Sequence, residues 1–113
     1  MEILAVTDDL IFASKIESAA TQLGAPLRLI ASPSRLPEAL AGKMYRSVLV
    51  DLNLSNGAAV EIVRTLRAQL PQAPIIGYCS HVQVELQEQA FQAGCTQVMP
   101  RSVFVSQLPE LLK

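Results

Sequence analysis

Residues 47–52, with the sequence SVLVDL, form the most hydrophobic run of the chain, and Asp51 is the only charged residue in it. A strand that is covered on both faces has such a continuous apolar sequence, because neither of its two sets of side chains is exposed to water. The run therefore predicts a central strand of a parallel sheet. A carboxylate at the end of a buried strand needs a cation, a hydrogen-bond donor or water, which makes Asp51 the strongest candidate for a functional side chain.

Further apolar runs rich in β-branched residues flank this strand and alternate with segments of helical period, which is the pattern of βα units. We count five pairs and expect one domain over residues 1–113, an α/β fold with a doubly wound, five-stranded parallel sheet and helices on both faces. Strands are expected at residues 2–6, 26–31, 47–52, 74–79 and 97–99. Helices are expected at residues 10–23, 58–70 and 103–112, with a short one through Leu36 and Leu40 and another between Ser80 and Gly94.

Cap and breaker residues predict where these helices begin and end. Gly24 and Gly42 are placed to end the first two helices, and Pro71 stops the third. Residues 80–83, Ser-His-Val-Gln, have the Ser-x-x-Gln form of a capping box and predict the start of the fourth helix. Pro109 is expected to interrupt the fifth.

The composition excludes several classes of function. Half of the 113 residues are hydrophobic, and the formal net charge of -1 provides no basic surface for nucleic acid or an anionic membrane. No apolar run approaches the roughly 20 residues of a membrane-spanning helix. One histidine and the lack of a glycine-rich phosphate loop exclude the usual zinc, dinucleotide and P-loop signatures. Cys79 and Cys95 form no CxxC pair and are interpreted as reduced thiols of a cytoplasmic protein.

Polar residues follow several of the predicted strands at their carboxyl ends, where ligands bind to a doubly wound sheet. Two carboxylates from separate strands suit a hard cation such as Mg²⁺, and a nearby guanidinium can hold a phosphoryl group. The pattern therefore predicts phosphoryl-transfer geometry. Helix capping is the alternative role for Asp8 and Asp51, and Asp9 is interpreted as an acid of the first helical turn. The residues at these ends are Thr7, Asp8, Asp9, Asp51, Cys79, Ser80 and Arg101.

With these residues in place, the whole chain resembles a receiver domain of the response regulators of two-component signalling, in size, strand order and motif positions. The matching stretches are residues 3–9, 48–54, 74–80 and 93–96, the last leading to Arg101. The resemblance implies a flavodoxin-like topology and a phosphoacceptor at Asp51. It also implies a weakly bound Mg²⁺ held by Asp8, Asp51 and the backbone carbonyl of Asn53.

The chain departs from the receiver pattern at several positions. Thr7 stands where the family has an acid, and Arg101 stands where it has a lysine. The Ser/Thr hydroxyl after the fourth strand falls on Cys79, with Ser80 one place later. Val98 replaces the aromatic residue that the family uses as a switch.

These departures leave three functions open. A hydroxyl-to-phosphoryl hydrogen bond lost at Cys79 amounts to about 1.5 to 3 kcal/mol, whereas a complete switch needs about 5.5 kcal/mol of differential binding. We therefore favour a pseudo-receiver, a stand-alone docking module of signal transduction that is not an enzyme. The alternative is a phosphorylation switch in which a sensor histidine kinase modifies Asp51. A third, of another class, is a small redox or ligand-binding flavodoxin-like protein that uses Cys79.

The output is expected to be a contact, because a chain that ends after the fifth helix has no DNA-binding or enzymatic module. Helix four, strand five and helix five would form the contact face, for a histidine kinase, another signalling protein or a second copy in a homodimer. Tyr78 and Phe104 are interpreted as packing residues, and Arg101 is expected to form a standing ion pair with Asp51. The residues expected to be presented on the contact face are Gln83, Gln87, Gln92, Gln97 and Gln107.

Overall fold

Strands and helices alternate along the chain in the computed structural model, which describes residues 1–55 and 57–113. The strands are β1 (Ile3–Val6), β2 (Leu27–Ile30), β3 (Ser47–Asp51), β4 (Ile75–Cys79) and β5 (Gln97–Pro100). The helices are α1 (Leu10–Leu23), α2 (Leu36–Leu40), α3 (Ala59–Gln69), α4 (Val84–Ala93) and α5 (Arg101–Leu111). A 3₁₀ turn at Pro33–Arg35 leads into α2.

All the strands are parallel and form one sheet in the order β2-β1-β3-β4-β5. β3 lies at the centre, and every residue of it is buried, as its apolar sequence predicts. The expected doubly wound fold is therefore confirmed. The order of the strands reverses between β1 and β3, so their carboxyl ends lie side by side at the switch point where such folds bind ligands. Within the described residues, no helix has the length and apolar character that crossing a membrane requires.

Alternate side chains of each strand enter two apolar clusters, one on each face of the sheet. Helices α1 and α5 cover the first face, whereas α2, α3 and α4 cover the second. The strand residues on the first face include Ile3, Ala5, Leu49, Ile76 and Tyr78. Those on the second face include Leu4, Val6, Val48, Val50, Ile75 and Cys79.

Helix α1 is capped at both of its ends. The carboxylate of Asp9 accepts hydrogen bonds from the amides of Ile11 and Phe12 and so caps α1. Gly24 ends the same helix in the left-handed conformation, with φ of 66°, which a glycine adopts without a steric penalty. One face of α3 packs in the core, since Ala59, Val63, Leu66 and the following Leu70 are all buried.

Two expected helix boundaries are wrong. The Ser80 hydroxyl accepts from the amide of Val82, so it closes a turn, and α4 begins only at Val84. In α5, Pro109 does not interrupt the helix, which continues to Leu111. The proline lies in the last turn, where it removes one internal hydrogen bond just before the helix ends.

Arg67, near the end of α3, ties together two loops at the amino end of the sheet. Its guanidinium donates to the carbonyl oxygen of Gly94 after α4 and to the hydroxyl of Thr96. It also donates to the carbonyl oxygens of Leu70, Pro71 and Ala73 before β4. We call this set of contacts the Arg67 clasp.

Gly94 is required by the clasp in two ways. Its φ of 137° is one that side chains rarely permit, and an added Cβ would lie only 2.7 Å from Cβ of Arg67.

Candidate functional site

Thr7, Asp51 and Tyr78 form a row across three neighbouring strands. Asp51 is paired with Tyr78 in the register of β3 and β4. Val6 is paired with Val50, so Thr7 follows beside Asp51. Since in-register residues of parallel strands point to the same face, all three side chains belong to the face that α1 and α5 cover.

Asp51 is 4% exposed, and both of its carboxylate oxygens accept a hydrogen bond. The Thr7 hydroxyl donates to Oδ2 over 2.8 Å, and the amide of Asn53 donates to Oδ1 over 2.9 Å. Thr7 Oγ1 in turn accepts from the amide of Asp9 over 3.1 Å. A buried carboxylate therefore finds its donors within the protein, and both donors are uncharged.

The two aspartates after β1 have different roles. Asp8 is exposed, and its Oδ2 accepts from the amide of Ser55 over 3.1 Å. Hydrogen bonds from Ser55 hold the pKa of Asp8 below its ordinary value. Asp9, expected only as an acid of the first helical turn, is the residue that caps α1, because its side chain satisfies the first amides of the helix. Only Asp8 is thus left, besides Asp51, to offer a carboxylate to a cation.

Arg101 lies at the start of α5 and donates from Nη2 to the side-chain carbonyl of Asn53 over 2.7 Å. The expected ion pair with Asp51 is wrong: among the residues that the structure describes, none of the ion pairs joins these two side chains. The physical reason is desolvation. Asp51 is buried and already satisfied, whereas the exposed guanidinium would have to give up water to reach it.

Cys79 and Ser80 make no hydrogen bond with Asp51 in the described part of the chain. Cys79 is fully buried, and its strand position places it on the second face, in the cluster with α3 and α4. Burial raises the pKa of its thiol, and Arg101 offsets this only in part. Ser80 belongs to the turn before α4, where its amide donates to Oε1 of Gln83 and its carbonyl accepts from Nε2 of Gln87.

Tyr78 lies fully buried beneath the site. Its ring stacks on those of Phe12, with centroids 5.0 Å apart, and Phe104, with centroids 4.0 Å apart. Its hydroxyl has no hydrogen-bond partner among the described residues. Burial raises its pKa, and the nearby Thr7 hydroxyl offsets part of that rise, while the charge of Asp51 adds to it.

The site is therefore acidic but offers few oxygen ligands to a cation. Asp8, Asp51 and the backbone carbonyl of Asn53 offer the oxygen atoms that a hard cation prefers. Within the described residues, no group of three or more histidine, cysteine or acidic side chains is placed to hold a metal.

Sequence reasoning placed Asp51, Asp8, Asn53 and Arg101 at one end of the sheet, where the structure also has them. It missed two roles. Thr7 was noted only as a missing acid, although its hydroxyl is the donor that Asp51 uses. Tyr78 was interpreted as packing, which its ring confirms, but the orphan hydroxyl beside the site was not foreseen. The signal for both is the strand register, which the sequence alone does not provide.

Comparison with known proteins gives a clear result only at the level of structure. No family model and no curated protein matches the sequence. A response regulator of Burkholderia pseudomallei, solved with a phosphorylated aspartic acid and a calcium ion, matches with a TM-score of 0.85 and 18% identity. The alignment covers 99% of this chain and 66% of that protein, so the chain spans just under two thirds of its length.

Two further solved structures agree. The receiver domain of a sensor histidine kinase of Pseudomonas aeruginosa, with magnesium in its active-site cleft, matches with a TM-score of 0.83 and 25% identity, over 98% of this chain and 93% of that one. A receiver domain protein of Methanospirillum hungatei matches with a TM-score of 0.85 and 17% identity, over 97% and 88%. The fold is that of the response-regulator receiver domains of two-component signalling.

Proposed function

We propose that this chain is a pseudo-receiver, a signalling module that docks a protein partner and is not switched by phosphorylation of Asp51. The state of Asp51 carries the proposal. A phosphoacceptor needs a free oxygen directed at the phosphodonor and a cation that bridges them. Here both oxygens of Asp51 accept hydrogen bonds, one of them from the hydroxyl that stands where receivers have an acid.

Magnesium binding is proposed to persist, but weakly. Two of the solved neighbours hold magnesium or calcium. In this chain Asp8, Asp51 and the carbonyl of Asn53 would hold the ion, and when bound it would neutralise the charge of an incoming phosphoryl group. The set fits a hard cation in chemical type. Its affinity is lowered because Thr7 contributes no charge and Asp8 already accepts from Ser55.

A phosphoryl group on Asp51 would also lack its usual partners. Arg101 donates to Asn53, and the buried Cys79 has no hydroxyl. A hydrogen bond to a charged group contributes about 1.5 to 3 kcal/mol, so losing it removes a large part of the roughly 5.5 kcal/mol that a complete switch needs. Phosphorylation would therefore shift the conformation little even where it occurs.

The face formed by α4, β5 and α5 is the proposed docking face. Val84 and Phe91 of α4 are 65% and 60% exposed, and with Val98 and Met99 they line a groove of about 620 Å³. Exposed apolar side chains with a polar rim are typical of protein interfaces. A histidine kinase or another signalling protein is the proposed partner, with a homodimer through this face as the alternative.

The glutamine residues of this face fall into two groups. Gln92, Gln97 and Gln107 are exposed and remain available to a partner. Gln83 and Gln87 were expected there too, but they are half-buried, and their side chains form hydrogen bonds with the backbone of Ser80. A cytoplasmic location is part of the proposal, in keeping with two cysteines that are free and buried.

Treatment with a small acyl phosphate and Mg²⁺ tests the proposal. The intact mass of the natural chain should not change. A variant with Thr7→Asp, Cys79→Thr and Arg101→Lys should gain one labile phosphoryl group, and adding Asp51→Asn to it should abolish the gain. Stoichiometric, Asp51-dependent phosphorylation of the natural chain would instead establish the phosphorylation switch. The redox alternative has no support from Cys79, whose thiol is buried with a raised pKa.

A further inference from the structure

The strand β2 forms one edge of the sheet, because the strand order gives it a single neighbour, β1. The amide of Thr7 donates to the carbonyl oxygen of Ile30, which therefore faces β1. In a parallel ladder, the backbone groups of alternate residues face the same neighbour. The N–H and C=O groups of Leu27 and Leu29 are thus directed away from β1, and they offer donors and acceptors to a further strand.

A groove of about 320 Å³ lies along this edge. It is lined by residues 28–32, which are the end of β2 and the turn after it, and by Arg35 and Glu38. The side chain of Leu29 is half-buried and packs against the cluster on the first face, so an added strand would cover the rest of it. An open edge of this kind is where an extended peptide adds to a sheet.

The groove carries an excess of positive charge. Arg28 is in register with Leu4, so its side chain lies on the second face, beside α2. Arg28 Nη2 and Arg35 Nη1 lie 4.0 Å and 3.1 Å from the same oxygen atom, Oε1 of Glu38. Two guanidinium groups therefore share one carboxylate here. Because guanidinium groups bind carboxylates with paired donors, the groove suits a second carboxylate from a partner.

We propose that β2 binds an extended, acidic segment of a partner protein, which adds to the sheet as a further strand. The backbone of the segment would pair with Leu27 and Leu29, and an acidic side chain would lie against Arg28 and Arg35. This surface is at the opposite edge of the sheet from β5. It is therefore separate from the proposed docking face and does not depend on the proposed function.

A second copy of the chain fits this edge less well. If the β2 strands of two copies paired about a two-fold axis, the contact would contain both copies of Arg28, Arg35 and Glu38. It would then bring together twice as many guanidinium groups as carboxylates, and like charges that meet in an interface oppose association. Charge complementarity therefore favours an acidic partner.

Hydrogen exchange followed by NMR tests the proposal with two blocked peptides. One alternates valine with glutamate, and the other has lysine in place of glutamate. The glutamate peptide should slow the exchange of the Leu27 and Leu29 amides and leave those of Gln97 and Met99, on the opposite edge, unchanged. The lysine peptide should not bind. No protection of the Leu27 and Leu29 amides, or equal protection by both peptides, would overturn the proposal.

Variants measure the contribution of the arginines. Arg28→Gln combined with Arg35→Gln should weaken binding of the glutamate peptide about two- to thirtyfold, the range expected for two ion pairs at the surface. Arg35→Gln alone should weaken it less. Arg64→Gln, which removes an arginine paired with Glu61 on α3, is the matched control and should leave the affinity unchanged.

Two further results would contradict the proposal. An unchanged affinity in the double variant would show that the arginines do not select the partner. A natural chain that sediments as a dimer, with its β2 amides protected before any peptide is added, would show that a second copy occupies the edge. Cooperative unfolding of each variant verifies that folded proteins are compared.

Discussion

Thr7 changes what Asp51 needs from its surroundings. An acid at this position would repel Asp51 and require a cation to bring the two together. A hydroxyl donates a hydrogen bond instead, and at 2.8 Å it does so in a buried setting where no water competes. One side chain thus turns a site that depends on a cation into one that is satisfied by the protein.

Replacing Thr7 by valine keeps the shape of the side chain and removes the donor. The free energy of unfolding should fall by about 1.5 to 3 kcal/mol, the contribution of a hydrogen bond to a charged group. Chemical denaturation measures this. Thr21→Val on the exposed surface of α1 is the control, with an expected change within about 0.5 kcal/mol. Equal losses in the two variants would show that the bond to Asp51 contributes nothing.

Asp8 gives the protein a stability that depends on pH. Its hydrogen bonds from Ser55 lower its pKa in the folded state below the ordinary value of 3.8. The contribution to stability is therefore complete above the unfolded pKa and is lost as the pH falls through the folded pKa. Asp8→Asn should be less sensitive than the natural chain to acid below pH 3.8. Denaturation at a series of pH values measures the difference, and parallel curves would contradict it.

At the scale of the elements, the turn between β4 and α4 is held by the side-chain amides of Gln83 and Gln87. The side chain of Gln83 accepts from the amide of Ser80, and that of Gln87 donates to the carbonyls of Ser80 and His81. The start of α4, next to the proposed docking face, is therefore fixed in one arrangement by groups of the helix itself.

Replacing Gln87 by leucine should loosen this turn. Each hydrogen bond lost contributes about 0.5 to 1.5 kcal/mol to the free energy of unfolding. Without the glutamine, the carbonyl oxygens of Ser80 and His81 would form hydrogen bonds with water. Gln92→Leu, at an exposed position of the same helix, is the matched control. Thermal unfolding compares the two, and Gln87→Leu should have the lower melting temperature. The reverse order would show that the glutamine does not hold the turn.

At the scale of the whole molecule, Mg²⁺ should perturb only the carboxyl end of the sheet. We expect amide shifts confined to residues near Asp8, Asp51 and Asn53 in a magnesium titration followed by NMR, with saturation only at high millimolar concentration. Thr7→Asp should lower the concentration needed, because it adds a charged oxygen donor. No shifts in the natural chain at that concentration would contradict the proposed metal site.

The fold was predictable because its determinants are local in the sequence. The apolar run at residues 47–52, the helical period of α3 and the glycine after α1 each specify an element or its end. Short strands buried on both faces and separated by helices then leave few arrangements other than a doubly wound sheet. Errors arose where one local motif is compatible with two structures. Residues 80–83 have the sequence of a capping box but form a turn before α4.

The contacts within the site were less predictable because they depend on register between distant segments. The bond from Thr7 to Asp51 joins residues that are 44 positions apart, and the bond from Arg101 to Asn53 joins residues 48 apart. The residue types did predict a polar site at this end of the sheet. They did not predict that neutral donors satisfy Asp51. Charge complementarity favours an ion pair with Arg101 as long as the burial of Asp51 is not known.

The Arg67 clasp closes the chain on itself. By holding the carbonyls on either side of β4 and α4, one guanidinium acts as a noncovalent crosslink between residues that are 27 positions apart. It therefore lowers the entropy that the enclosed segment gains on opening. In native-state hydrogen exchange, such a segment behaves as one cooperative unit. The amides of β4 and α4 should then exchange with a common opening free energy, and in Arg67→Met the exchange of the two elements should separate.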